Sequence, residues 1–218
     1  MSDGVTLKPA AADYGRRCES IGLERREVAD LQDAMCHPDF KASHHALLDR
    51  LAAEYRQSRP ILERPPFATI QLGTFKEVAD LHRALLDGGF QIGNWADDLM
   101  SRPQFVPSKP GSIQLFRATN AELGYPDGCT VAKSFAALEK LGAVKLPPDA
   151  MALLRLVYLD QPLGERLLGY MEPIPDSDGD LGVFNVGRRE DGLWLYGDYA
   201  DPELFYSGDE VWVFARKL

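Results

Sequence analysis

The last third of the chain constrains the fold most strongly, because it contains five closely spaced runs rich in branched and aromatic side chains. The runs are LLRLVYL, ERLLGYMEPI, LGVFNVGR, GLWLYGDY and EVWVFARK, and the linkers between them are QPLG, PDSDGD, REDG and the longer ADPELFYSGD. This composition is typical of β-strands. Since consecutive strands joined by short turns pair antiparallel, the pattern predicts a meander of about five strands.

The middle third alternates strand and helix patterns. ATIQLGT and SIQLFRA have the period of two that strands show. Three other segments have apolar residues at helical spacing near a capping residue, which is Thr74, Asn94 or Thr130. From residue 67 to residue 218 the sequence therefore predicts an α+β domain, with a mainly antiparallel C-terminal meander and helices on one face of the sheet.

The first 59 residues predict a helical hairpin. GLERREVADLQDAM and HHALLDRLAAEYRQSR each place apolar residues on one helical stripe, and prolines end both patterns. Residues 60–66, PILERPP, form a proline-rich connector. We therefore expect a helical appendage at 1–59, the connector at 60–66 and the α+β domain at 67–218.

The net charge of -9 is concentrated in one segment. Residues 160–210 contain 13 acidic residues but only three basic ones, Arg166, Arg188 and Arg189. A surface of this sign repels phosphate backbones, so it disfavours direct nucleic-acid binding and favours a basic protein partner. The residues expected to form this acidic partner surface lie in three turns, and they are Asp176, Asp178, Asp180, Glu190, Asp191, Asp209 and Glu210.

The acidic run around Gly179 resembles a calcium loop only superficially. An EF-hand loop needs glycine at position 6 and a bidentate glutamate at position 12. Starting at Asp176 places Gly187 at position 12, and fixing Gly179 at position 6 places Asn185 there. Both registers fail, so the run predicts the solvated tip of a β-hairpin instead.

Metal and cofactor motifs are weak throughout the sequence. Cys36, His37, His44 and His45 lie close together, but their spacing matches no zinc pattern. The sequence contains neither GxxxxGK[ST] nor a GxGxxG after a strand, the two common nucleotide-binding signatures. We therefore expect no metal and no cofactor.

Two residues are weak catalytic candidates. Cys129 stands in Gly-Cys-Thr before a helix, where nearby backbone N–H groups would lower a thiol pKa. His82 would have to reach it from a distant part of the chain. A small apolar side chain packed under the helix is the preferred explanation of Cys129, and no other residues form a recognisable catalytic set.

The sequence predicts a cytoplasmic protein. No apolar run approaches the ~18 residues of a membrane span, and the N-terminus has no apolar signal-peptide core. The three cysteines are widely spaced, which is typical of reduced thiols.

Four segments carry a resemblance to a known group of proteins. ELGYPDG, LRLVYLDQPLGE, MEPIPDSDGDLGVF and DGLWL resemble segments of a family of small bacterial conserved hypothetical proteins without characterised activity. The resemblance covers roughly residues 69–218. It implies no activity, ligand or catalytic residue.

Together these patterns favour a non-enzymatic interaction or regulatory protein. Its acidic sheet would bind a basic protein partner, and a charge-mimic inhibitor is the sharper form of this hypothesis. Residues 1–60 offer a surface for a homodimer. The alternative is an enzyme of unrecognised type, with a cleft between the helices and the sheet near Cys129.

Overall fold

The structure is a computed structural model that describes residues 60–216. These residues belong to a unit that spans Pro60–Leu218. The helical hairpin predicted for residues 1–59 lies outside the described residues, and so does the homodimer surface predicted there. The division of the chain into three parts therefore stays a prediction.

The described chain contains four α-helices and eleven strands after a short 3-10 turn at Ile61–Glu63. The helices are α1 (Val78–Asp87), α2 (Asn94–Met100), α3 (Val131–Lys140) and α4 (Ala150–Val157). The strands are β1 (Ala68–Leu72), β2 (Gln91–Ile92), β3 (Gly111–Thr119), β4 (Cys129–Thr130), β5 (Ala143–Val144), β6 (Arg166–Gly169), β7 (Ile174–Pro175), β8 (Leu181–Arg189), β9 (Gly192–Tyr199), β10 (Phe205–Tyr206) and β11 (Val211–Arg216).

Nine of these strands form one curled, half-barrel sheet. Its main path follows the order β1-β3-β11-β6-β8-β9-β2, while β5 pairs with β11 and β7 pairs with β8. The β6–β11 and β2–β9 pairs are parallel, and the other pairs are antiparallel. The short strands β4 and β10 pair separately. No helix among residues 60–216 is long and apolar enough to span a membrane.

The predicted C-terminal meander is wrong. Strand β11, the last of the chain, inserts between β3 and β6 and runs parallel to β6. The sheet therefore joins the middle and final thirds, and strands hold 34% of the described residues against 24% for helices. The fold is therefore dominated by one sheet that contains strands from both thirds, and not by a separate C-terminal meander with helices on one face.

The first predicted strand of that meander, LLRLVYL, belongs mostly to helix α4. Every residue from Ala150 to Arg155 is buried, and Arg155 is the one charged residue of this helix. A short and mostly apolar run cannot be distinguished from a buried strand by its pattern alone. This ambiguity explains the wrong prediction.

Helices cover both faces of the sheet, which corrects the prediction of one covered face. Met151 of α4 packs against Gly169 on β6, and Gly169 pairs with Val213 on β11. Successive side chains of a strand point to opposite faces, so the neighbouring Trp212 faces away from α4. There the ring of Phe135 from α3 lies 5.2 Å from the Trp212 ring.

The predicted positions of strands and helix caps agree with the structure better than the predicted strand order does. β1, β3, β8, β9 and β11 form where the period of two predicts strands, and Thr130 is the N-cap of α3. Helix α1 begins after Glu77, because the Thr74 hydroxyl donates to the Gln71 carbonyl instead of capping the helix. Gly93, and not Asn94, precedes α2.

Candidate functional site

A pocket of about 380 Å3 lies over strands β6, β8 and β9. Ten residues line it, and they are Gly164, Glu165, Arg166, Asn185, Gly187, Arg188, Arg189, Tyr196, Gly197 and Asp198. They include all three basic residues of the acidic 160–210 segment. We call this the sheet-face pocket.

The floor of the sheet-face pocket lies on the sheet face away from α2. A Cβ atom built on Gly182 of β8 would come within 2.9 Å of Leu99 on α2. Asn185 and Gly187 are three and five residues later on the same strand, so they face the opposite side. The register places Tyr196 beside Asn185.

Gly187 lies on the pocket floor next to the Tyr196 ring. It pairs with Arg166 on β6 and with Trp194 on β9. A Cβ atom at this position would lie 3.7 Å from the Glu165 carbonyl oxygen and 3.8 Å from the Tyr196 ring, which are ordinary van der Waals distances. The floor therefore has room for one methyl group at this position.

Arg166 is the centre of a charged cluster in the pocket. Its Nη1 donates to Asp198 Oδ2 at 2.9 Å, and its Nη2 donates to Glu210 Oε2. The Asn185 amide Nδ2 donates to the same Asp198 oxygen at 2.9 Å. The guanidinium also lies 5.7 Å from the centre of the Tyr206 ring. Four elements of the fold therefore meet around one arginine.

Burial shifts the protonation of this cluster. It raises the pKa of the Asp198 carboxyl above its ordinary value, and Arg166 offsets only part of this shift. The pKa of Glu210 is raised for the same reason, again with a partial offset from Arg166. Desolvation alone would lower the pKa of Arg166, but the two carboxylates overcome it and raise that pKa.

One polar atom on the pocket floor has no partner among the described residues. Asn185 is 1% exposed, and its Oδ1 receives no hydrogen bond. Because Nδ2 faces the Asp198 carboxylate, the amide orientation is fixed and the oxygen is the atom without a partner. The buried Tyr196 hydroxyl likewise has no partner within residues 60–216. A buried acceptor without a donor costs about 1–3 kcal/mol.

Arg189 presents a free guanidinium edge to the pocket. Its guanidinium carbon lies 4.6 Å from the centre of the Tyr196 ring, and that ring stacks on Trp194 at 4.7 Å. Within the described part of the chain, Arg189 makes neither a hydrogen bond nor an ion pair. Its neighbour Arg188 is the next residue on β8, so its side chain points to the opposite face, where it donates to the Gln161 carbonyl oxygen at 2.8 Å. Arg189 is thus a cationic group at the pocket without a paired anion among residues 60–216.

The loop after α4 forms one wall and is held by interactions of its own. Glu165 accepts from Arg117 Nη1 at 2.7 Å and from the Tyr158 hydroxyl at 2.9 Å. Burial, followed by the contact with Glu165, raises the pKa of Tyr158 to about 12. Because both Glu165 oxygens have donors, this carboxylate supports the wall.

A buried arginine fixes the other side of this loop. The Arg155 guanidinium donates to Gln161 Oε1 at 2.5 Å and to the Tyr158 carbonyl oxygen at the end of α4. Burial lowers the pKa of Arg155 to about 10. Gln161 in turn donates to the Val186 carbonyl oxygen on β8 at 3.1 Å, which ties the loop to the pocket strands.

The two weak catalytic candidates lie on opposite sides of the sheet. Cys129 is 3% exposed beside α3, and its sulfur is 3.2 Å from the Ser134 hydroxyl. His82 is on α1, which packs with α4 against the other face, and its Nε2 is 2.9 Å from Asp97 Oδ1. The structure therefore does not bring them together, and Cys129 lines none of the sheet-face pocket.

The acidic run at residues 176–180 is the tip of a hairpin, as predicted. β7 pairs with the start of β8 around it, and Gly179 has φ +94°. The Asp176 carboxylate accepts from the backbone N–H groups of Asp178 and Asp180 at 2.8 and 2.9 Å. The tip also contacts α2, because the Ser177 N–H donates to Asp98 Oδ2 at 2.9 Å.

The seven acids of the predicted partner surface do not lie together. Asp176, Asp178 and Asp180 precede β8, whereas the other four, Glu190, Asp191, Asp209 and Glu210, lie near its far end. A nine-residue strand spans roughly 30 Å. Glu210 is also only 9% exposed, because it turns inward to Arg166.

Metal ligands are not grouped in the part of the chain that the structure describes. Residues 60–216 contain no set of three or more His, Cys, Asp or Glu side chains placed to hold an ion. The weak zinc candidates Cys36, His37, His44 and His45 lie outside the described residues.

Sequence reasoning missed the sheet-face pocket. Its arginines are visible in the sequence as the only bases of residues 160–210, but no local pattern indicates that they line one pocket. Comparison with protein families, with curated proteins and with solved structures found no match. The resemblance to a bacterial family therefore stays a prediction.

Proposed function

We propose that this protein binds a small organic anion in the sheet-face pocket. The observation that carries the proposal is the free, oriented guanidinium of Arg189 at a pocket whose floor contains the unpartnered Asn185 oxygen. A ligand in this position would supply a hydrogen-bond acceptor to the Arg189 guanidinium and a donor to the Asn185 oxygen.

The charge distribution supports an anion. Arg166 is paired with Asp198 and Glu210, and Glu165 is paired with Arg117. Arg189 also borders the pocket and has no acidic partner among residues 60–216. A guanidinium fork recognises carboxylates and phosphates through two parallel hydrogen bonds. Stacking on Tyr196 restricts the Arg189 fork before any ligand binds.

The size of the pocket supports a small molecule. Small-molecule sites have volumes of about 300–1,000 Å3, and this pocket lies near the lower end of that range. The acidic residues Glu190 and Asp191 at the adjacent turn would repel a polyanion such as a nucleic acid. A compact ligand with one anionic group fits both conditions.

The earlier hypotheses receive less support from the geometry. A basic protein partner stays a prediction, because its acids lie at two ends of β8. An enzyme with its cleft near Cys129 also stays untested, although the pocket does not include that thiol. Ligand binding is compatible with the regulatory class favoured by the sequence. A cytoplasmic location stays a prediction as well.

Isothermal titration of the full chain with a panel of small carboxylates and phosphates tests the proposal. We expect at least one compound to bind, and Arg189→Gln to weaken its affinity about tenfold or more. Arg83→Gln is the matched control, because Arg83 is an exposed arginine on α1 that contacts Asp80 at 3.4 Å. Absence of binding throughout the panel, or equal effects of the two substitutions, would contradict the proposal.

A further inference from the structure

We infer that the ligand is a small zwitterion of the amino-acid type, with its carboxylate at Arg189 and its ammonium beside Asn185 and Asp198. This inference rests on the proposed function and adds the chemical class of the ligand. It follows from the separation of unpaired donors and unpaired acceptors within one pocket.

Two acceptor atoms at the Arg166 end of the pocket have no donor among residues 60–216. The Asn185 amide oxygen has no partner in the described chain. Asp198 receives both of its hydrogen bonds through Oδ2, so its Oδ1 has no donor there. An ammonium group carries three N–H donors, whereas a hydroxyl carries one.

The local charge at this end is also suited to a cation. Arg166 contributes one positive charge, and Asp198 and Glu210 contribute one negative charge each when ionised. The cluster therefore has a net charge of about -1 by this sum. A bound ammonium would neutralise it. Partly buried carboxylates gain most from such a partner, because burial already disfavours their charged form.

The opposite end of the pocket has the opposite character. The Arg189 guanidinium lies over the Tyr196 ring and has neither a hydrogen bond nor a carboxylate partner among the described residues. A ligand carboxylate would receive a paired hydrogen bond from it.

The two ends are close enough for one small molecule. Arg189 follows Asn185 by four residues on β8, a backbone distance of roughly 13 Å. The Arg189 guanidinium lies over the ring of Tyr196, the residue that pairs directly with Asn185. Arg189, Asn185 and Asp198 line one pocket of about 380 Å3. A ligand that carries both charged groups on one carbon atom would lie between them.

Other anions would satisfy only part of the site. A plain carboxylate or a phosphate would occupy Arg189 but leave the buried Asn185 oxygen without a donor. Leaving a buried acceptor unsatisfied costs about 1–3 kcal/mol, which corresponds to roughly a tenfold to hundredfold loss of affinity. The site should therefore distinguish a free amino acid from its N-acetyl derivative.

Titration of the full chain with each free L-amino acid tests this inference. For every amino acid that binds, its N-acetyl derivative and its carboxamide are titrated in the same way. We expect removal of either charge to weaken binding about tenfold or more. Asp198→Asn should lower the affinity for the free amino acid and leave the affinity for the N-acetyl derivative nearly unchanged. Asp80→Asn, an exposed control on α1, should change neither affinity.

The outcomes separate this inference from the proposed function. If N-acetyl derivatives bind as tightly as free amino acids and depend on Arg189, the zwitterion inference fails and anion binding stands. If no carboxylate or phosphate binds, both fail. Should Asp198→Asn not fold, as judged by circular dichroism, the comparison of free and N-acetylated amino acids on the unmodified chain decides.

Discussion

Arg166 on β6 and Asp198 on β9 form an ion pair of 2.9 Å that crosses the intervening strand β8. The same guanidinium pairs with Glu210, the residue before β11. The arginine therefore joins β6 to β9 and to the segment before β11, and both Arg166 and Asp198 line the sheet-face pocket. Because its side chain is 42% exposed, solvent weakens these pairs relative to a fully buried bridge.

Replacing Arg166 should destabilise the fold moderately. Arg166→Gln leaves Asp198 and Glu210 as partly buried carboxylates without a cation. We expect the free energy of unfolding to fall by about 1–2 kcal/mol, less than the ~3–5 kcal/mol of a fully buried pair. Urea denaturation followed by circular dichroism measures this change. Arg83→Gln should change it by less than ~0.5 kcal/mol, and an equal loss in both variants would contradict the assigned role of Arg166.

The contributions of Glu210 and its neighbour Asp209 to stability should change with pH in opposite directions. Burial raises the pKa of Glu210, so the folded chain binds this proton more readily than the unfolded chain does. Its contribution to stability is therefore fully present below about pH 4.3, the pKa of unfolded glutamate, and is lost as pH rises through the folded pKa. The stability of the wild type minus that of Glu210→Gln should increase as pH falls from about 7 to about 4.

For Asp209, the Ser207 hydroxyl donates at 2.5 Å and lowers the carboxyl pKa. Its contribution is present above the pKa of unfolded aspartate and is lost as pH falls through the folded pKa. The stability of the wild type minus that of Asp209→Asn should therefore decrease on acidification. Denaturant titrations at several pH values measure both differences. Slopes of the same sign would refute the assigned environments.

The stability of the hairpin tip at residues 176–180 should depend on Asp176 and not on Asp178. Asp176 accepts the backbone N–H groups of Asp178 and Asp180, whereas the Asp178 carboxylate makes no side-chain hydrogen bond among the described residues. Asp176→Ala should lower the melting temperature measurably, and Asp178→Ala should leave it unchanged. Calcium should shift neither melting curve. A large calcium-dependent shift would show that the tip is a metal site.

Two glycines of β8 should tolerate alanine very differently. A Cβ atom built on Gly187 would have its nearest neighbour, the Glu165 carbonyl oxygen, at 3.7 Å. A Cβ atom built on Gly182 would lie 2.9 Å from the fully buried Leu99. Gly182→Ala should lower the free energy of unfolding by about 1–3 kcal/mol through overpacking. Gly187→Ala should change it by less than ~0.5 kcal/mol. Chemical denaturation measures the free energy of unfolding of both variants. Equal losses in the two variants would argue against room for a methyl group at Gly187.

The same Gly187→Ala variant should weaken ligand binding because the added methyl group occupies part of the pocket. Titration with any compound that binds the unmodified chain measures this effect. An unchanged affinity would show that ligands bind elsewhere.

The strands were predictable because their signal is local. In LGVFNVGR and EVWVFARK, branched and aromatic residues favour extended backbone, and short polar turns separate the runs. The hairpin tip at residues 176–180 was predictable for the same reason, since Gly179 and its acidic neighbours favour a turn. Helix α4 was not, because a run of eight mostly apolar residues is equally compatible with a buried strand.

The sequence by itself determined where most strands form and that Arg166, Arg188 and Arg189 are the only bases in an acidic segment. Only the tertiary structure decided that these arginines border one pocket, and that β11 lies between β3 and β6. The physical reason is that strand order and register depend on contacts between residues far apart in the chain. A shift of one residue in register would turn Asn185 to the opposite face, and no local pattern specifies that alignment.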